Sequence, residues 1–273
     1  MKVSLIVAVY QNIKALELII TSLKKQTYNN FELIVAEDGS SSLVRDYLAT
    51  LKHLNFKIIH TTQDDIGLRK ARSQNNGILA STAEYLIFID GDCIPYSTFI
   101  EAHVLLSEKN TILSGRRVNL NQQITTKILN NTISLNKIEK NYLKYFSLMF
   151  DKSVKYEQGI YLNPNKFLYK FLLKNKKRNL NILGCNFSCF KKDFLDINGF
   201  DEGYGGTALS DDTDLDWRFQ ENGLKLKSCK NAANVFHLWH KVHDRGNPEK
   251  EIKLMKLNKK KNIFICKKGL NTH

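Results

Sequence analysis

Short apolar segments that alternate with helical patterns constrain the fold of this chain most strongly. Four segments are rich in Val, Ile and Phe: Val3 to Val9, Phe31 to Ala36, Phe56 to His60 and Tyr85 to Ile89. Such runs are typical of strands buried on both faces of a parallel sheet. Apolar residues recur at helical spacing from Ile13 to Leu23, and Leu68 to Ser81 also suits a helix. The alternation predicts an open α/β sheet that binds ligands beyond the carboxyl ends of its strands.

The remainder of the chain divides by composition. Residues 119–183 are rich in Asn, Lys and Tyr, and only weak helices are predicted there. Later patterns predict a strand at Gly184 to Phe190, a helix at Asp211 to Asn222, a strand at Asn234 to Trp239 and a basic amphipathic stretch at Lys250 to Lys268. We therefore divide the chain into residues 1–118, 119–183, 184–245 and 246–273. The second part is expected to elaborate the ligand-binding edge, and the fourth is a basic tail.

Charge and cysteine content limit the classes of function. The 273 residues include 41 Lys and Arg against 27 Asp and Glu, and the net charge of +14 favours phosphates, nucleic acid or an anionic membrane as partners. The five cysteines include no Cys-x-x-Cys pair, which argues against a disulfide framework or a zinc ribbon and favours a reducing cytoplasm. Because no run reaches roughly 18 apolar residues, any membrane contact is expected to be peripheral.

Acidic residues follow two of the predicted strands. Glu37-Asp38-Gly39-Ser40 comes after the second strand, and Asp90-Gly91-Asp92 comes after the fourth. Because both clusters lie at the carboxyl edge, they are expected to face one crevice. The glycine permits a tight turn in which both carboxylates approach one cation, and such hard oxygen ligands suit Mg²⁺ or Mn²⁺ together with a diphosphate. An ordinary Asp-Gly surface turn explains the tripeptide equally well.

The neighbours of this turn carry a family resemblance. The matching segments are Val3 to Tyr10, Glu37 to Ser40, Gly67-Leu68-Arg69-Lys70-Ala71-Arg72 and Asp90 to Pro95, which together span nearly all of residues 1–118. In these segments the chain resembles the family 2 glycosyltransferases. The resemblance implies the GT-A fold, a nucleotide-binding, Rossmann-like open mixed sheet with helices on both faces. It also implies that residues 1–118 bind a sugar nucleotide and that the Asp-x-Asp binds metal and donor.

The resemblance assigns donor-binding roles to individual residues. Asp38 would hydrogen-bond the uracil, Asp90 would lie near the ribose, and Asp92 would bind the metal. Arg69 and Arg72 would face the nucleotide or its phosphates, although a solvated basic helix face explains Arg72 nearly as well. The implied donor site also includes Ala8, which stands where many relatives carry proline, together with Tyr10 and Gly91.

A second resemblance lies in residues 184–245, the predicted acceptor and catalytic half. The sequence Asn198-Gly199-Phe200-Asp201-Glu202-Gly203-Tyr204-Gly205-Gly206, followed by Asp211-Asp212-Thr213-Asp214-Leu215, is similar to the galactosyltransferase-type segment of this family. That segment ends in Gly-Gly-Glu-Asp, whereas four residues separate the glycines from the acidic pair here. Gly205 and Gly206 would let the backbone pass close to the donor sugar, with an ordinary flexible loop as the alternative.

Asp212 is the predicted catalytic base. Transfer with inversion needs one base within hydrogen-bond reach of the attacking acceptor hydroxyl. Asp211 would orient the acceptor by accepting hydrogen bonds from its other hydroxyls. Helix capping explains one acidic residue here, but Asp211, Asp212, Asp214 and Asp216 exceed what a cap requires, which favours a function. Trp217 is the candidate for stacking on the acceptor sugar, with a place in the core as its alternative.

Two histidines end the last predicted strand. His237 and His240 are three residues apart, and imidazole nitrogen is a usual ligand of Mn-class metals. In related galactosyltransferases a ligand pair with this spacing completes the metal site of the Asp-x-Asp. Because residues three apart face opposite sides of a strand, joint binding requires the strand to break near Leu238. For either histidine alone, a hydrogen-bonded place in the core is the alternative.

Together these features predict an inverting, metal-dependent glycosyltransferase. With Mn²⁺ or Mg²⁺ it would transfer a hexose or N-acetylhexosamine, with the galactose type favoured, from a UDP-sugar to a hydroxyl of a glycan acceptor. The resemblance to bacterial enzymes that build lipopolysaccharide or other surface polysaccharides favours a cytoplasmic protein and a lipid-linked acceptor. The basic stretches Lys174 to Arg178 and Lys259 to Lys261 suit peripheral contact with the anionic inner face of the membrane.

Two other functions fit parts of the sequence. A sugar nucleotidyltransferase of related fold normally shows a glycine-rich phosphate loop with a lysine after the first strand, and Val9-Tyr10-Gln11-Asn12 has none. A nucleic-acid-binding protein would fit the net charge. However, the basic residues form no recognisable reading motif, so nucleic acid is not expected as a partner.

Overall fold

Two sheets and their covering helices form the part of the chain that the structure describes. The structure is a computed structural model and describes residues 1–145, 156–174, 180–205, 212–241 and 248–273. The strands are β1 (Val3–Val9), β2 (Phe31–Glu37), β3 (Lys57–Thr61), β4 (Tyr85–Asp90), β5 (Cys93–Pro95), β6 (Thr111–Ser114), β7 (Arg116–Asn119), β8 (Asn186–Phe190), β9 (Lys225–Ser228) and β10 (Asn234–His237). The helices are α1 (Ile13–Leu23), α2 (Ser42–Thr50), α3 (Lys70–Ala80), α4 (Phe99–Leu106), α5 (Gln122–Leu129), α6 (Leu135–Lys140), α7 (Tyr142–Tyr145), α8 (Phe167–Tyr169), α9 (Lys191–Asp196), α10 (Thr213–Glu221) and α11 (Glu249–Lys260).

The main sheet has seven strands in the order β3-β2-β1-β4-β8-β6-β9. β1 pairs in parallel with β2 and β4, while β8 is antiparallel to both β4 and β6. The sheet is therefore mixed, as predicted, and strands from both halves of the chain share it. The chain passes from β1 to β2 on one side and later to β4 on the other. This arrangement opens a crevice at the carboxyl ends of β1 and β4.

A second sheet of three strands, in the order β5-β10-β7, lies next to this crevice. β10 is antiparallel to β5 and parallel to β7. Its register pairs His237 with Cys93 on one side and with Asn119 on the other. Since Cys93 directly follows Asp92, the small sheet carries the C-terminal histidine segment to the acidic turn after β4.

The apolar core lies on both faces of the main sheet. Leu5 and Val7 of β1 pack with residues of α1, α2 and α4, whereas Ile6 points to the opposite face, with α3, α9 and α10. This alternation is the period of two expected for a strand covered on both sides. The helices therefore cover both faces, as predicted. α10, which follows the acidic run in the sequence, packs on the same face as α3.

Several sequence predictions differ from the structure in ways that have physical causes. β3 is the edge strand, and its residues are exposed or only half-buried, so the prediction of burial on both faces is wrong for it. The strands β5, β6, β7 and β9 were not predicted, because three or four residues are too few for a periodic pattern. Short helices, α5 to α8, occupy parts of residues 119–183, as expected. Among the described residues no helix is long and apolar enough to cross a membrane.

Candidate active site

The turn at Asp90-Gly91-Asp92 is packed tightly against the end of β1. Ala8 is the register partner of Asp90, and a Cβ atom added at Gly91 would lie 2.6 Å from the Ala8 carbonyl oxygen. No side chain fits at that distance, so the close approach requires glycine. The packing brings Ala8 and Gly91 together, and their roles in donor binding stay predictions.

The two carboxylates of this turn have different partners. Asp90 Oδ1 lies 2.6 Å from Lys70 Nζ at the start of α3, and both side chains are 25% exposed. Asp92 instead faces the end of β10. Its Oδ2 lies 3.3 Å from His237 Nε2 and 3.1 Å from His240 Nε2. Asp90 is therefore paired with a lysine in this structure, and the expectation that both carboxylates approach one cation stays a prediction.

The cluster of Asp92, His237 and His240 meets the geometric requirement for a metal site. One ligand atom from each residue lies within 4.8 Å of the others. β10 ends at His237, and the Leu238 N–H donates to the Asp92 carbonyl oxygen at 3.0 Å. The chain leaves the strand at this residue, so the predicted break near Leu238 is present. Because of it, both imidazoles face the same carboxylate.

The donor atoms of this cluster suit a cation. His240 Nδ1 lies 2.8 Å from the Lys241 carbonyl oxygen, which can only accept, and this contact leaves Nε2 turned toward Asp92. Nε2 lies 3.1 Å from the carboxylate of Asp92. Burial alone raises the pKa of Asp92, but the hydrogen bond and charge of His237, with the charge of His240, outweigh burial and lower it to about 2. One carboxylate oxygen and two imidazole nitrogens therefore fit Mn²⁺ or a related ion.

Asp38 fixes the start of α3. Its Oδ1 accepts from Gln63 Nε2 at 2.7 Å, and its Oδ2 accepts from the Arg69 backbone N–H, also at 2.7 Å. The residue is 4% exposed. Each carboxylate oxygen has a second lone pair, so both bonds are compatible with a further donor from a base. The contact of Arg69 with Asp38 uses the backbone, while its guanidinium donates to the Asp64 carbonyl oxygen.

Two other predicted donor residues lie at the rim. Arg72 Nη1 is 3.9 Å from Glu202 Oε2, so this arginine faces the C-terminal segment. Tyr10 is 55% exposed, and its hydroxyl lies 3.5 Å from Asp65 Oδ2. Neither contact involves Asp38 or Asp90, so their roles in donor binding stay predictions.

Sequence reasoning missed two polar residues that shape the site. Asn75 Nδ2 donates to the Phe200 carbonyl oxygen and to Glu202 Oε1, and its Oδ1 accepts from the Phe200 N–H at 2.9 Å. It thereby clamps α3 to the C-terminal segment; a polar residue in the buried stripe of that helix was the available signal. Arg117 on β7 is half-buried. Burial lowers the pKa of Arg117, but the charges of Cys185, Cys93 and Asp90 outweigh burial and hold this pKa above the usual value of arginine.

The acidic residues at the start of α10 separate into two environments. Asp212 is the N-cap, and its Oδ1 accepts from the Thr213 N–H at 2.6 Å and from the Thr213 hydroxyl at 3.0 Å. Asp214 is fully buried and accepts from Tyr204, Trp217 and Arg218 at 2.7, 3.0 and 3.1 Å. Asp212 is half-buried and caps the helix, whereas Asp214 is a buried structural residue that joins Tyr204, Trp217 and Arg218. The role of Asp212 as base stays a prediction.

The remaining predicted residues of this half are only partly described. Trp217 is 9% exposed, packs with Tyr204 and Met255, and has Lys259 Nζ 5.7 Å from its ring centroid. This packing favours the core alternative for Trp217 over stacking on a sugar. Gly205 has a φ of +59°, a left-handed conformation that favours glycine. Gly206 and Asp211 lie outside the described residues.

Comparison with known proteins identifies this architecture. Residues 4–193 match the profile of Glycosyl transferase family 2, and residues 168–241 match the profile described as the N-terminal domain of galactosyltransferase. The UDP-Glc:alpha-D-GlcNAc-diphosphoundecaprenol beta-1,3-glucosyltransferase WfgD of Escherichia coli is 25% identical over 201 residues, which cover 69% of this chain and 76% of WfgD. The second profile contains Asp212 and both histidines.

Solved structures agree on the fold. A crystal structure of S. aureus TarS superposes with a TM-score of 0.54 at 16% identity, over 94% of this chain and 39% of that chain. The mannosyltransferase PcManGT from Pyrobaculum calidifontis, in complex with GDP-Man and Mn²⁺, gives 0.55 at 15% identity, over 88% of this chain and 57% of that one. The match to EpsH of Bacillus subtilis likewise covers only 26% of that relative.

The first family profile extends over well over half of the chain, from β1 into α9. The matched residues contain the Asp90-Gly91-Asp92 turn and the start of α3, which are the segments that carried the resemblance in the sequence. This agreement favours a glycosyltransferase over the two other functions that fit parts of the sequence. The chain belongs to glycosyltransferase family 2, and it is a glycosyltransferase with the GT-A fold.

Proposed function

We propose that this enzyme transfers a hexose or N-acetylhexosamine, with galactose or its N-acetyl form favoured, from a UDP-sugar to a glycan hydroxyl with inversion. The observation that carries the proposal is the convergence of Asp92, His237 and His240 at the carboxyl edge of the main sheet. These residues come from the donor half and from the segment that matches the galactosyltransferase profile. The favoured sugar rests on that second match.

The proposed cofactor is Mn²⁺ or Mg²⁺, held by Asp92, His237 and His240. The mixed oxygen and nitrogen donors favour Mn²⁺, since Mg²⁺ prefers oxygen ligands. When bound, the ion would supply positive charge to the donor diphosphate, which becomes the leaving group. Lys70 adds a protein cation beside Asp90. A diphosphate seated there would meet positive charge from the ion and from Lys70.

The proposed base is Asp212. It lies at the N-terminus of α10, where the backbone N–H groups of the first turn stabilise a carboxylate. In the reaction its carboxylate would accept the proton of the acceptor hydroxyl as that oxygen attacks the anomeric carbon. Asp211 and Gly206, which lie outside the described residues, complete the proposed acceptor and donor-sugar contacts with Gly205. No covalent intermediate is required.

The proposed acceptor is a glycan that is built on a lipid carrier for bacterial surface polysaccharide or lipopolysaccharide. The name of WfgD specifies a UDP-Glc donor and a diphosphoundecaprenol-linked acceptor, which supports a UDP donor and a lipid-linked acceptor here. A net charge of +14 supports work at an anionic membrane surface. We accordingly propose a cytoplasmic enzyme that associates peripherally with the inner face of the membrane.

The first test is titration calorimetry of UDP, with and without Mn²⁺. The wild type, Asp92→Ala and the matched control Asp46→Ala are compared; Asp46 is an exposed carboxylate on α2. We expect UDP binding that needs Mn²⁺ in the wild type and control and that is lost in Asp92→Ala. Titration of Mn²⁺ alone measures the affinity of the metal site in the absence of any donor.

The outcomes separate the parts of the proposal. Absence of UDP binding under all conditions would refute the UDP donor. Binding that is unchanged by Mn²⁺ and by Asp92→Ala would refute the metal site. If UDP binds as expected, turnover of UDP-galactose, UDP-N-acetylgalactosamine and UDP-glucose identifies the sugar, and NMR of the product's anomeric proton tests inversion.

A further inference from the structure

A short helical stretch presents four large apolar side chains to the surface. Phe167, Leu168, Phe171 and Leu172 are 78, 51, 72 and 47% exposed. The rings of Phe167 and Phe171 stack with their centroids 5.6 Å apart, so these side chains form one continuous surface, the Phe167–Leu172 patch. Single exposed apolar residues are ordinary, whereas a contiguous patch usually marks an interaction site.

The patch is held outward by its own helix. The stretch comprises α8 and the π-helical turn Lys170–Lys174 that continues it. It begins at a turn in which the Lys166 N–H donates to the Asn163 carbonyl oxygen at 3.0 Å. Tyr169 is 4% exposed and packs into the main core. Because Tyr169 anchors the helix, the residues at the first, second, fifth and sixth positions face away from the protein.

The segment that leads to this helix is fastened to the strands of the metal cluster. The Gly159 carbonyl oxygen accepts from the Tyr96 hydroxyl at 3.1 Å and from Asn234 Nδ2 at 3.2 Å. Leu162 N–H donates to the Asn231 carbonyl oxygen. Tyr96 directly follows β5, and Asn234 begins β10. The orientation of the patch is therefore linked to the strands that position Asp92 and His237.

The surroundings of the patch select its partner by charge. Lys166 and Lys170 are exposed and one turn apart, so they form a basic row beside the phenylalanines. The chain carries a net charge of +14, which disfavours close contact between two copies of it. Aromatic and aliphatic side chains bordered by lysines suit an anionic lipid surface, where the rings enter the interface and the ammonium groups meet phosphates.

We propose that the Phe167–Leu172 patch inserts into an anionic lipid surface while Lys166 and Lys170 bind the lipid headgroups. This inference goes beyond charge attraction, because it assigns membrane contact to a particular apolar surface. The biological role of this insertion rests on the proposed function, in which the acceptor is carried by a membrane lipid. A patch linked to β5 and β10 would set the orientation of the active site toward an acceptor carried in the same membrane.

The test is binding to vesicles without nucleotide or acceptor. Vesicles of equal parts phosphatidylglycerol and phosphatidylcholine are compared with pure phosphatidylcholine in a sedimentation assay. Phe167→Ser/Phe171→Ser should bind anionic vesicles roughly 100-fold more weakly, since each buried ring contributes about tenfold or more. The control Leu43→Ser/Leu195→Ser removes two apolar side chains that are 62 and 52% exposed elsewhere, and should bind like the wild type.

The lysines are tested by a second pair of variants. Lys166→Gln/Lys170→Gln should weaken binding to anionic vesicles by roughly tenfold or more. Lys52→Gln/Lys225→Gln makes the same change in net charge at exposed positions outside the patch, and should have a smaller effect. Equal losses in the two lysine pairs would show that net charge alone attracts the chain. Thermal unfolding of every variant verifies that these surface changes leave the fold intact.

Besides equal losses in the two lysine pairs, three results would overturn the inference. The wild type could ignore anionic vesicles, or Phe167→Ser/Phe171→Ser could bind them as tightly as the wild type. A wild-type dimer that this variant converts to a monomer, with vesicle binding retained, would assign the patch to a second copy of the chain. Patch-dependent vesicle binding by a protein that fails to bind UDP would instead refute the proposed function and leave the docking surface standing.

Discussion

The turn after β4 and the start of α10 repeat one chemical pattern in two different settings. In each, two aspartates lie two residues apart, and one of them is paired with a cation of the chain. Asp90 pairs with Lys70 at 2.6 Å in a position that is a quarter exposed, and Asp214 pairs with Arg218 at 3.1 Å in the core. In both places the pairing commits one carboxylate to a protein partner.

The other carboxylate of each pair has a different setting. Asp92 meets two imidazoles, and Asp212 caps α10 while staying half-buried. The comparison teaches that the spacing of two acidic residues does not reveal which one does chemistry. A lysine or arginine beside one carboxylate is a tertiary feature that the spacing does not show, and a carboxylate whose charge is already compensated attracts a metal ion or a proton less strongly. Substitution of Asp by Asn in each pair tests whether the two carboxylates differ in function.

The largest effect is expected for Asp212→Asn on turnover. Asparagine caps a helix as well as aspartate does, so the fold should be retained, but an amide cannot accept a proton from the acceptor hydroxyl. We expect kcat to fall roughly 1,000-fold, within the range typical for loss of a general base, with UDP affinity unchanged. Asp216→Asn on the same helix is the matched control. A variant of Asp212 that keeps kcat within tenfold of the wild type would refute its role as base.

The second effect is expected on stability, for Asp214→Asn. This change leaves Arg218 buried without its charge partner, and breaking such a pair typically costs about 3 kcal/mol or more. For a chain of this size the melting temperature should fall by roughly 6–12 °C. Asp212→Asn, which makes the same chemical change two residues earlier, should melt within a few degrees of the wild type. Equal melting temperatures for the two variants would remove the distinction between them.

The third effect contrasts Asp92 with Asp90 in metal affinity. Asp92→Asn should weaken Mn²⁺ binding by roughly 100-fold, because it replaces the charged oxygen beside both histidines with a neutral amide. Asp90→Asn should weaken it by less than tenfold, since Lys70 already compensates the charge of Asp90. Electron paramagnetic resonance of free Mn²⁺ measures both values without donor or acceptor. Similar losses in the two variants would mean that both carboxylates bind the ion.

Much of the fold could be predicted because its central strands are long and uniformly apolar. β1 begins and ends where the pattern predicts, at Val3 and Val9, and α1 matches the stripe from Ile13 to Leu23. The pairing of the histidines with Asp92, which the family resemblance implied, also has its geometric counterpart in the break after His237. These features depend on residues close together in sequence or on a motif with fixed spacing.

The rest depends on contacts that sequence does not encode locally. Nothing in the spacing separates Lys70 from Arg69 or Arg72, yet Lys70 is the one that reaches Asp90. Likewise, the burial of Asp214 depends on its contact with Tyr204, which lies ten residues earlier in the chain. Such assignments require the tertiary structure, because a carboxylate at the surface and one in the core look the same in sequence.

The smallest effect concerns the neutral donors that hold Asp214. Trp217→Phe keeps an aromatic ring in the core but removes the N–H that donates to the Asp214 carboxylate at 3.0 Å, so it should cost about 1.5 kcal/mol and roughly 3–6 °C in melting temperature. Tyr204→Phe removes the hydroxyl that donates to the same carboxylate at 2.7 Å and should behave alike. If Trp217 serves packing alone, neither variant changes the KM for the acceptor. A rise in that KM for Trp217→Phe but not for Tyr204→Phe would mean that the indole contacts the acceptor. Trp217 would then bind the acceptor in addition to packing in the core.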